Sequence, residues 1–306
     1  MQTIQLISLR HSAFYTPYLI TFVAGFLKQQ GLNAVYRCVS NVDELESALR
    51  SGEAHVAQSA VGVSMRQIAV ADKNPHSLPT LLHFAQINQR DGFFIATASK
   101  VTSLATGFNW KQLEGKRIIA DHLFQPMATL KYVLHQQGVD VNSIEFIDIG
   151  NAAQSVQAFL NGEAEYLHLQ GPYPQQLAAD GKASIVAAVG EPLGNIAYSS
   201  LCATKDWLTS PMASAFMKAY KAALHYVEKT SAVILAQQLT EQFGNITLET
   251  LAETIESYKA LGSWTTNACI SEDAFQCANR VFLLSGDISS AIEYKQVVSQ
   301  QLCKEE

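Results

Sequence analysis

The sequence predicts an α/β protein of two similar lobes with mostly parallel sheets, joined by a two-strand hinge with a ligand cleft between the lobes. Three observations predict this class: an internal duplication, short apolar strand segments that alternate with helices, and two segments that connect the duplicated units. A chain of 306 residues is also long enough for two lobes that each bury a core.

The duplication consists of two series of segments in the same order. The first series is FLKQQGL, AVYRCV, SNVDELESALRSGEA and HVAQ, and the second is VLHQQGV, IEFIDI, GNAAQSVQAFLNGEA and EYLHLQ. Upstream of these, IQLISLRH ends at His11 and KRIIADH ends at His122. Each unit therefore predicts strand, helix, strand, helix, strand.

The strand segments at 4–9, 34–39, 118–120 and 144–149 are short and apolar, as is typical of buried parallel strands. Pro17 and Pro126 lie near predicted helix starts, whereas Gly31 and Gly138 lie just past helix ends. The last hundred residues are predicted to be mainly helical, with N-caps at Ser210, Thr247 and Ser271.

Two further strands are predicted to cross between the lobes, at 93–99 and 197–204. Because the chain would pass to the second lobe and return, the first lobe is predicted to be discontinuous. Residues 1–95 and 200–306 would form it, together with the C-terminal helices, and residues 96–199 would form the inserted second lobe. Two crossings form a hinge that can close the lobes over a ligand.

Composition excludes several partners and cofactors. The net charge of −6 and the absence of a basic run argue against nucleic acid. The longest apolar stretch, 18–27, is too short to cross a bilayer, so no membrane insertion is expected. No spacing of potential ligands supports a metal site, even for His11, His122 and His168 together, and no metal or other cofactor is predicted.

The cysteines and the first residues of the chain are used to predict its cellular compartment. Five cysteines with no C-x-x-C pair predict reduced, mostly buried thiols without a disulfide framework. The opening MQTIQLISLRHSAF lacks the pattern of a signal peptide. The chain as it stands is therefore predicted to be cytoplasmic, and periplasmic if a signal peptide has been removed.

The ordered motifs resemble a known group of proteins. The segments HSAFYTPYLITFVAGFLKQQGL, LESALRSGEAHVA, LEGKRI, VQAFLNGEAEYLHLQGPYPQQL and LCATKDWLTSPMASAFMKAYKAALHYVEK carry the resemblance, which spans about residues 4 to 230. They are similar to type II periplasmic-binding-protein-like solute-binding proteins of the nitrate, sulfonate, taurine and thiamine-pyrimidine-precursor group. The resemblance implies binding of a small solute and an ABC transporter permease as a possible partner.

In open α/β sheets, ligands bind beyond the carboxyl ends of the strands. This rule selects candidate ligand-binding residues in both units and at the hinge: His11, Ser12, Phe14, Tyr15, Gln58, Ser59, His122, Phe124, Gln125, Gln170, Tyr173 and Tyr198. Asn151, a predicted helix cap, and Tyr198, at the hinge, are the weaker candidates. His11 and His122 occupy equivalent positions, where each could contact ligand or cap its own loop.

The candidate set favours a small ring compound. Its aromatic side chains could stack on a planar ring, although aromatics in a first helical turn are as often part of the core. Its glutamine amides can both donate and accept hydrogen bonds, which suits a heterocycle such as a pyrimidine better than a bare anion. No nucleophile or metalloprotease motif is present, so no catalytic residue is predicted. Two alternatives stay open: an enzyme on the same fold, of the dehydratase, decarboxylase or pyrimidine-precursor synthase type, and a receptor for a sulfonate or nitrate anion.

Overall fold

A computed structural model describes residues 1–71, 81–99, 107–121 and 124–304, and the strands of these ranges form two five-stranded sheets. The first sheet contains β1 (Gln2–Ser8), β2 (Leu32–Cys38), β3 (Val56–Ala60), β4 (Leu81–Gln86) and β10 (Ser199–Thr204). The second contains β5 (Phe93–Thr97), β6 (Arg117–Ala120), β7 (Glu145–Ile147), β8 (Tyr166–Gln170) and β9 (Ser184–Ala188).

The two sheets have the same strand order, β2-β1-β3-β10-β4 and β7-β6-β8-β5-β9. In each, the first three strands are parallel, and the fourth strand of the order is antiparallel to its neighbours. The two similar, mostly parallel α/β lobes that the duplication predicts are therefore confirmed. The edge strands β4 and β9 lie outside the strand segments that the sequence predicts.

The helices follow the strands as crossover connections and then form a C-terminal group. In the first unit they are α1 (Thr16–Val23), α2 (Phe26–Gln29), α3 (Val42–Ser51) and α4 (Val61–Ala71). In the second unit they are α5 (Phe124–Gln136), α6 (Ala152–Leu160), α7 (Tyr173–Ala179) and α8 (Gly190–Leu193). The C-terminal group is α9 (Pro211–Lys229), α10 (Ala232–Leu239), α11 (Leu248–Ala260), α12 (Glu272–Ser285), α13 (Tyr294–Val297) and α14 (Gln301–Lys304).

Local sequence signals account for the ends of these helices. The predicted N-caps Ser210, Thr247 and Ser271 each accept a hydrogen bond from a backbone N–H in the first turn of α9, α11 and α12, respectively. In the two Gly-Glu-Ala motifs, Gly52 and Gly162 have φ angles of +78° and +80°. Glycine adopts this conformation without steric cost, so both motifs end a helix ahead of the next strand.

The chain passes between the sheets twice, once from β4 to β5 and once from β9 to β10. The two crossing segments are hydrogen-bonded to each other, from Ile87 N to Ser199 O at 2.9 Å and from Ile196 N to Gln89 O at 2.9 Å. They form the two-strand hinge. β5 belongs to the second sheet and β10 to the first, and the domain boundaries at 95 and 199 stay a prediction.

The C-terminal helices contact both lobes. α9 packs on α1 and α2 of the first unit, whereas α11 packs on α7 and α12 packs on both α4 and α5. Tyr258 of α11 is wholly buried, and its hydroxyl accepts a hydrogen bond from Gly171 N at 2.8 Å and donates one to Gly92 O at 3.1 Å. Through these two hydrogen bonds, Tyr258 links the end of β8 to the first crossing segment.

One sequence-based expectation about the cysteines is wrong. Cys269 and Cys303 form a disulfide, with their Cα atoms 5.3 Å apart and a sequence separation of 34. The pair forms because α14 returns to pack beside β4 and α9, a long-range contact that no local spacing reveals. The other three cysteines are free thiols, of which Cys202 and Cys277 are buried and Cys38 is exposed. Within the described ranges, no helix has the length and apolar character needed to span a bilayer.

Candidate ligand-binding cleft

A cavity of about 370 Å³ lies where the carboxyl ends of β1, β3 and β8 meet the N-terminus of α5 and the second crossing segment. Both lobes line it, which is the place that the strand rule predicts for a ligand. Its lining combines aromatic rings, amides and small polar groups: Leu9, Arg10, Tyr15, Ser40, Asn41, Val42, Asp43, Gln58, Ala60, Val63, Phe124, Gln125, Pro126, Gln170, Tyr198 and Ser199.

The aromatic lining comes from Tyr15, Tyr198 and Phe124. Burial raises the pKa of Tyr15, and the nearby Arg10 charge together with hydrogen bonds to Gln170 and Ser199 opposes the rise. Tyr15 therefore presents a neutral phenol near Gln170 at the end of β8 and Ser199 at the start of β10.

Phe124 lies at the start of α5, where its ring stacks on Phe282 of α12 with centroids 4.8 Å apart. The guanidinium of Arg66 lies over the Phe124 ring at 5.2 Å from its centroid. The ring is therefore held in position by neighbours from two helices while it lines the cavity.

Gln125 and Gln58, two of the three glutamines that line the cavity, differ in how far their amides are hydrogen-bonded. Gln125 accepts a hydrogen bond from Gly62 N at 3.3 Å and donates one to Ala197 O at 3.2 Å, so it joins α5 to α4 and the second crossing segment. Gln58 is buried and donates to Ser59 O at 3.3 Å, but its Oε1 has no hydrogen-bond partner among the described residues. A buried acceptor of this kind is available to a donor on a ligand.

A second cavity of about 470 Å³ adjoins the first and shares Leu9, Arg10 and Gln170 with it. The loop after β1, the N-terminus of α6 and the start of α7 contribute the other lining residues: His11, Ser12, Gly150, Asn151, Ala152, Ala153, Leu169, Gly171 and Tyr173. Nine of the twelve sequence-predicted candidates thus line one or other of two neighbouring cavities, with Gln170 common to both.

His11 and Ser12 line the second cavity, but both make hydrogen bonds within the protein. The His11 ring nitrogens lie 3.1 Å from Tyr36 Oη and 2.8 Å from Gln242 O, and burial lowers the His11 pKa. Ser12 caps the short 3₁₀ helix Ala13–Tyr15 and donates a hydrogen bond to Gly171 O at 2.9 Å. Ser12 thereby links the first lobe to the end of β8.

Phe14 and Ser59 are buried and line neither of these two cavities. The Phe14 ring lies 5.0 Å from that of Tyr258 and 5.7 Å from that of Tyr15, so it supports the cavity wall from behind. Ser59 pairs with Ser200 in the ladder between β3 and β10. His122 lies outside the described residues.

An ion pair crosses the cleft between Arg10, which follows β1, and Asp121, which follows β6. Burial alone would lower the pKa of Arg10, but the charge and hydrogen bond of Asp121 raise it, so the guanidinium stays charged. Neither residue is among the predicted ligand contacts. A signal for the pair exists in the sequence, because the duplication that matches His11 with His122 also matches Arg10 with Asp121.

Asp91 is a further residue that the sequence pattern does not reveal. It lies in the first crossing segment, wholly buried, and accepts hydrogen bonds from Phe93 N at 2.7 Å and from Thr129 Oγ1 at 2.6 Å. Burial raises its pKa to about 6, against the opposing effects of these two donors and of the Tyr198 hydroxyl. Asp91 therefore joins the hinge to α5 and lies beside the Tyr198 side chain that lines the first cavity.

The chain matches a known protein family over most of its length. A profile described as NMT1/THI5 like matches residues 13–230, which is more than two thirds of the chain. The chain belongs to the NMT1/THI5-like family. The matched segment contains the strands of both sheets from β2 to β10, whereas β1 and the loop from Leu9 to Ser12 precede it.

Individual relatives of this NMT1/THI5-like chain agree with the fold. "Putative binding protein YtlA" of Bacillus subtilis (strain 168) is 27% identical over 301 residues, covering 96% of this chain and 86% of the relative. The ligand-binding component of an ABC-type import system from Staphylococcus aureus superimposes with a TM-score of 0.76 at 15% identity, covering 100% of this chain and 99% of the other. The periplasmic aliphatic sulphonate binding protein SsuA from Escherichia coli gives 0.75 at 12% identity, with 98% and 92% covered. The architecture is that of a periplasmic binding protein.

Proposed function

We propose that this chain, a solute-binding protein by family and fold, closes its lobes on a small, largely neutral ring compound such as a pyrimidine. The observation that carries the proposal is the state of Gln58. Its buried Oε1 lacks a partner among the described residues, in a cavity that Tyr15, Tyr198 and Phe124 also line. A flat ring with an N–H donor would satisfy this acceptor and stack on an aromatic face.

The charges around the first cavity favour a neutral ligand. Among the described residues that line it, the charged side chains are Arg10, which is paired with Asp121, and Asp43. Asp43 lies in the first turn of α3, whose N-terminus borders the cavity. An acidic side chain there repels an anion from the helix dipole that would otherwise attract it.

The cavity has a size suited to such a ligand. A volume of about 370 Å³ lies at the lower end of the range of small-molecule sites. The two-strand hinge and the hydrogen bonds across the lobes, from Ser12 to Gly171 and from Gly62 to Gln125, support a clamp that closes on its ligand.

The partner and compartment follow from the same proposal. The Staphylococcus aureus neighbour is the ligand-binding component of an ABC-type import system, so a membrane permease is the partner we expect to receive the ligand. The Cys269–Cys303 disulfide supports an oxidising compartment outside the cytoplasm. This proposal replaces the cytoplasmic location expected from the first residues.

The test is a ligand screen on freshly purified protein. Native mass spectrometry would identify a retained compound, and thermal-shift assays would compare uracil, cytosine and thymine with sulfate, nitrate and methanesulfonate. A ligand at 100 times its Kd stabilises the folded state by about 2.7 kcal/mol. Stabilisation by simple anions alone would support the anion receptor, and conversion of a bound compound to product would support an enzyme.

A variant and its matched control test whether the ligand binds in the first cavity. Gln58→Leu removes the buried acceptor and is expected to lower the affinity for the neutral ring compound about tenfold to hundredfold. Gln137→Leu is the matched control, because Gln137 is exposed and lines neither cavity. Equal affinity in both variants would contradict the placement of the ligand beside Gln58.

A further inference from the structure

We propose that Asp121 sets the charge selectivity of the cleft, because its pairing with Arg10 leaves no uncompensated guanidinium for a small anion to bind. This inference rests on the proposed function in that it explains why the ligand is neutral. Asp121 is then a specificity-determining residue, and the ligands that it rejects are small carboxylates and sulfonates.

The pair is placed so that it can act on ligands in both cavities. Arg10 lines the first cavity and the second, and its side chain is 25% exposed. The Asp121 side chain is only 8% exposed. A ligand therefore meets the guanidinium first, with the neutralising carboxylate behind it.

The topology explains why two opposite charges meet here. Arg10 lies two residues beyond β1, and Asp121 directly follows β6. β1 and β6 occupy the same position in the strand order of their sheets. The duplication thus brings two equivalent loops together across the cleft, one with a cation and the other with an anion.

The ion pair between Arg10 and Asp121 disfavours the binding of an anion in the cleft. A carboxylate or sulfonate would have to displace Asp121 from Arg10, and it would then lie close to the displaced negative charge. Without the Asp121 charge, Arg10 would be a partly buried cation lacking its compensating partner, which is a costly state that an anion relieves. A guanidinium also matches carboxylate and sulfonate oxygens with two parallel hydrogen bonds.

The other titratable groups at the cavities do not supply a competing cation. In the second cavity, the pKa of His11 is lowered by burial, so its imidazole is neutral at pH 7. In the first, Tyr15 and Tyr198 have raised pKa values and stay neutral phenols, and Asp43 is acidic. Among the described lining residues, Arg10 is therefore the group on which anion binding depends.

The experiment compares four proteins: wild type, Asp121→Asn, Asp121→Glu and the double variant Arg10→Gln/Asp121→Asn. The probes are orotate and methanesulfonate, measured by calorimetry and thermal shift at matched ionic strength, with uracil as the neutral counterpart of orotate. Asp121→Asn is expected to gain about tenfold or more in affinity for both anions, and added salt should reduce the gain. Asp121→Glu and the double variant should show no such gain.

The outcomes separate this inference from the proposed function. If Asp121→Asn binds the anions no better than wild type, or if the double variant gains as much as the single one, the inference is wrong, whatever the natural ligand is. Gain in Asp121→Asn together with no binding of neutral rings by wild type would keep the inference and reject the proposed ligand class. Tight binding of methanesulfonate by wild type would reject both. Should Asp121→Asn not fold, Asp121→Ser provides the same uncompensated Arg10 with a smaller side chain.

Discussion

Thr129 of α5 donates a hydrogen bond of 2.6 Å to the carboxylate of Asp91, a wholly buried residue of the first crossing segment. The bond joins the hinge to the helix whose first turn lines the ligand cavity. Because Asp91 has no exposed surface, its protonation state is set by the surrounding protein.

We expect Asp91 to make the protein more stable as the pH falls from 7 to 5. Its pKa is raised from 3.8 to about 6, so the folded state takes up a proton at a higher pH than the unfolded state does. The free energy of unfolding should then increase by about 1 kcal/mol over this interval relative to an Asp91→Asn variant. Urea unfolding of both proteins at the two pH values measures the difference, and a pH-independent difference would contradict the prediction.

His83 should act in the opposite direction. It is wholly buried on β4, with its ring nitrogens 2.9 Å from Ser64 Oγ and 2.6 Å from Ser200 Oγ, and burial lowers its pKa from 6.5 to about 3. The stability due to the neutral ring is complete above pH 6.5 and is lost as the pH falls towards 3. Relative to His83→Gln, the wild type should lose about 2 kcal/mol between pH 7 and pH 5. Equal pH slopes in the two proteins, measured by urea unfolding, would show that His83 titrates normally.

The fold and part of the cleft follow from sequence because they depend on local pattern and repetition. The duplication predicts two units, the carboxyl-end rule selects Tyr15, Gln58 and Gln170 as cleft residues, and the predicted hinge adds Tyr198. These four residues do line the first cavity. Gln170 is the last residue of β8, and Gln58 lies two residues before the end of β3, so both are close to the carboxyl ends of parallel strands. Contact of these residues with a ligand stays a prediction.

The orientation of neighbouring side chains depends on contacts that no local pattern carries. Phe14 and Tyr15 are adjacent, but Phe14 packs against Gly92, where an added Cβ would lie 2.3 Å from the ring. His11 is bonded to the carbonyl of Gln242, which is 231 residues away in sequence. The sequence therefore predicts which loops reach the cleft, while the remote partners decide which of their side chains face it.

Removing the disulfide should lower stability more than removing a free thiol. The Cys269–Cys303 bond closes a loop between residues 34 apart in sequence, which by loop entropy corresponds to about 3–4 kcal/mol. Cys303→Ser should lose this amount, whereas Cys38→Ser, at an exposed free thiol, should change stability little. A reductant should destabilise the wild type and leave Cys303→Ser unchanged. Equal stability of the two variants under non-reducing conditions would show that the bond does not form in solution.

Gly62 gives a steric test of how α4 supports the cavity. A Cβ at this position would lie 2.3 Å from Cζ of Phe282 and 2.9 Å from Oε1 of Gln125. Phe282 is wholly buried and stacks on Phe124, so Gly62→Ala must displace side chains that hold the cavity wall. We expect a loss of about 1–3 kcal/mol in stability and weaker ligand binding.

Gly244→Ala is the matched control for this substitution. A Cβ added at Gly244 would have no atoms within 4 Å, and the residue does not have a positive φ, so alanine fits there without strain. The substitution should be neutral or stabilise by up to about 1 kcal/mol, because alanine restricts the unfolded chain. Thermal unfolding and calorimetry with the ligand found in the screen compare the two variants. If Gly62→Ala matches Gly244→Ala in both stability and affinity, the contact between α4, Phe282 and Gln125 does not shape the cavity.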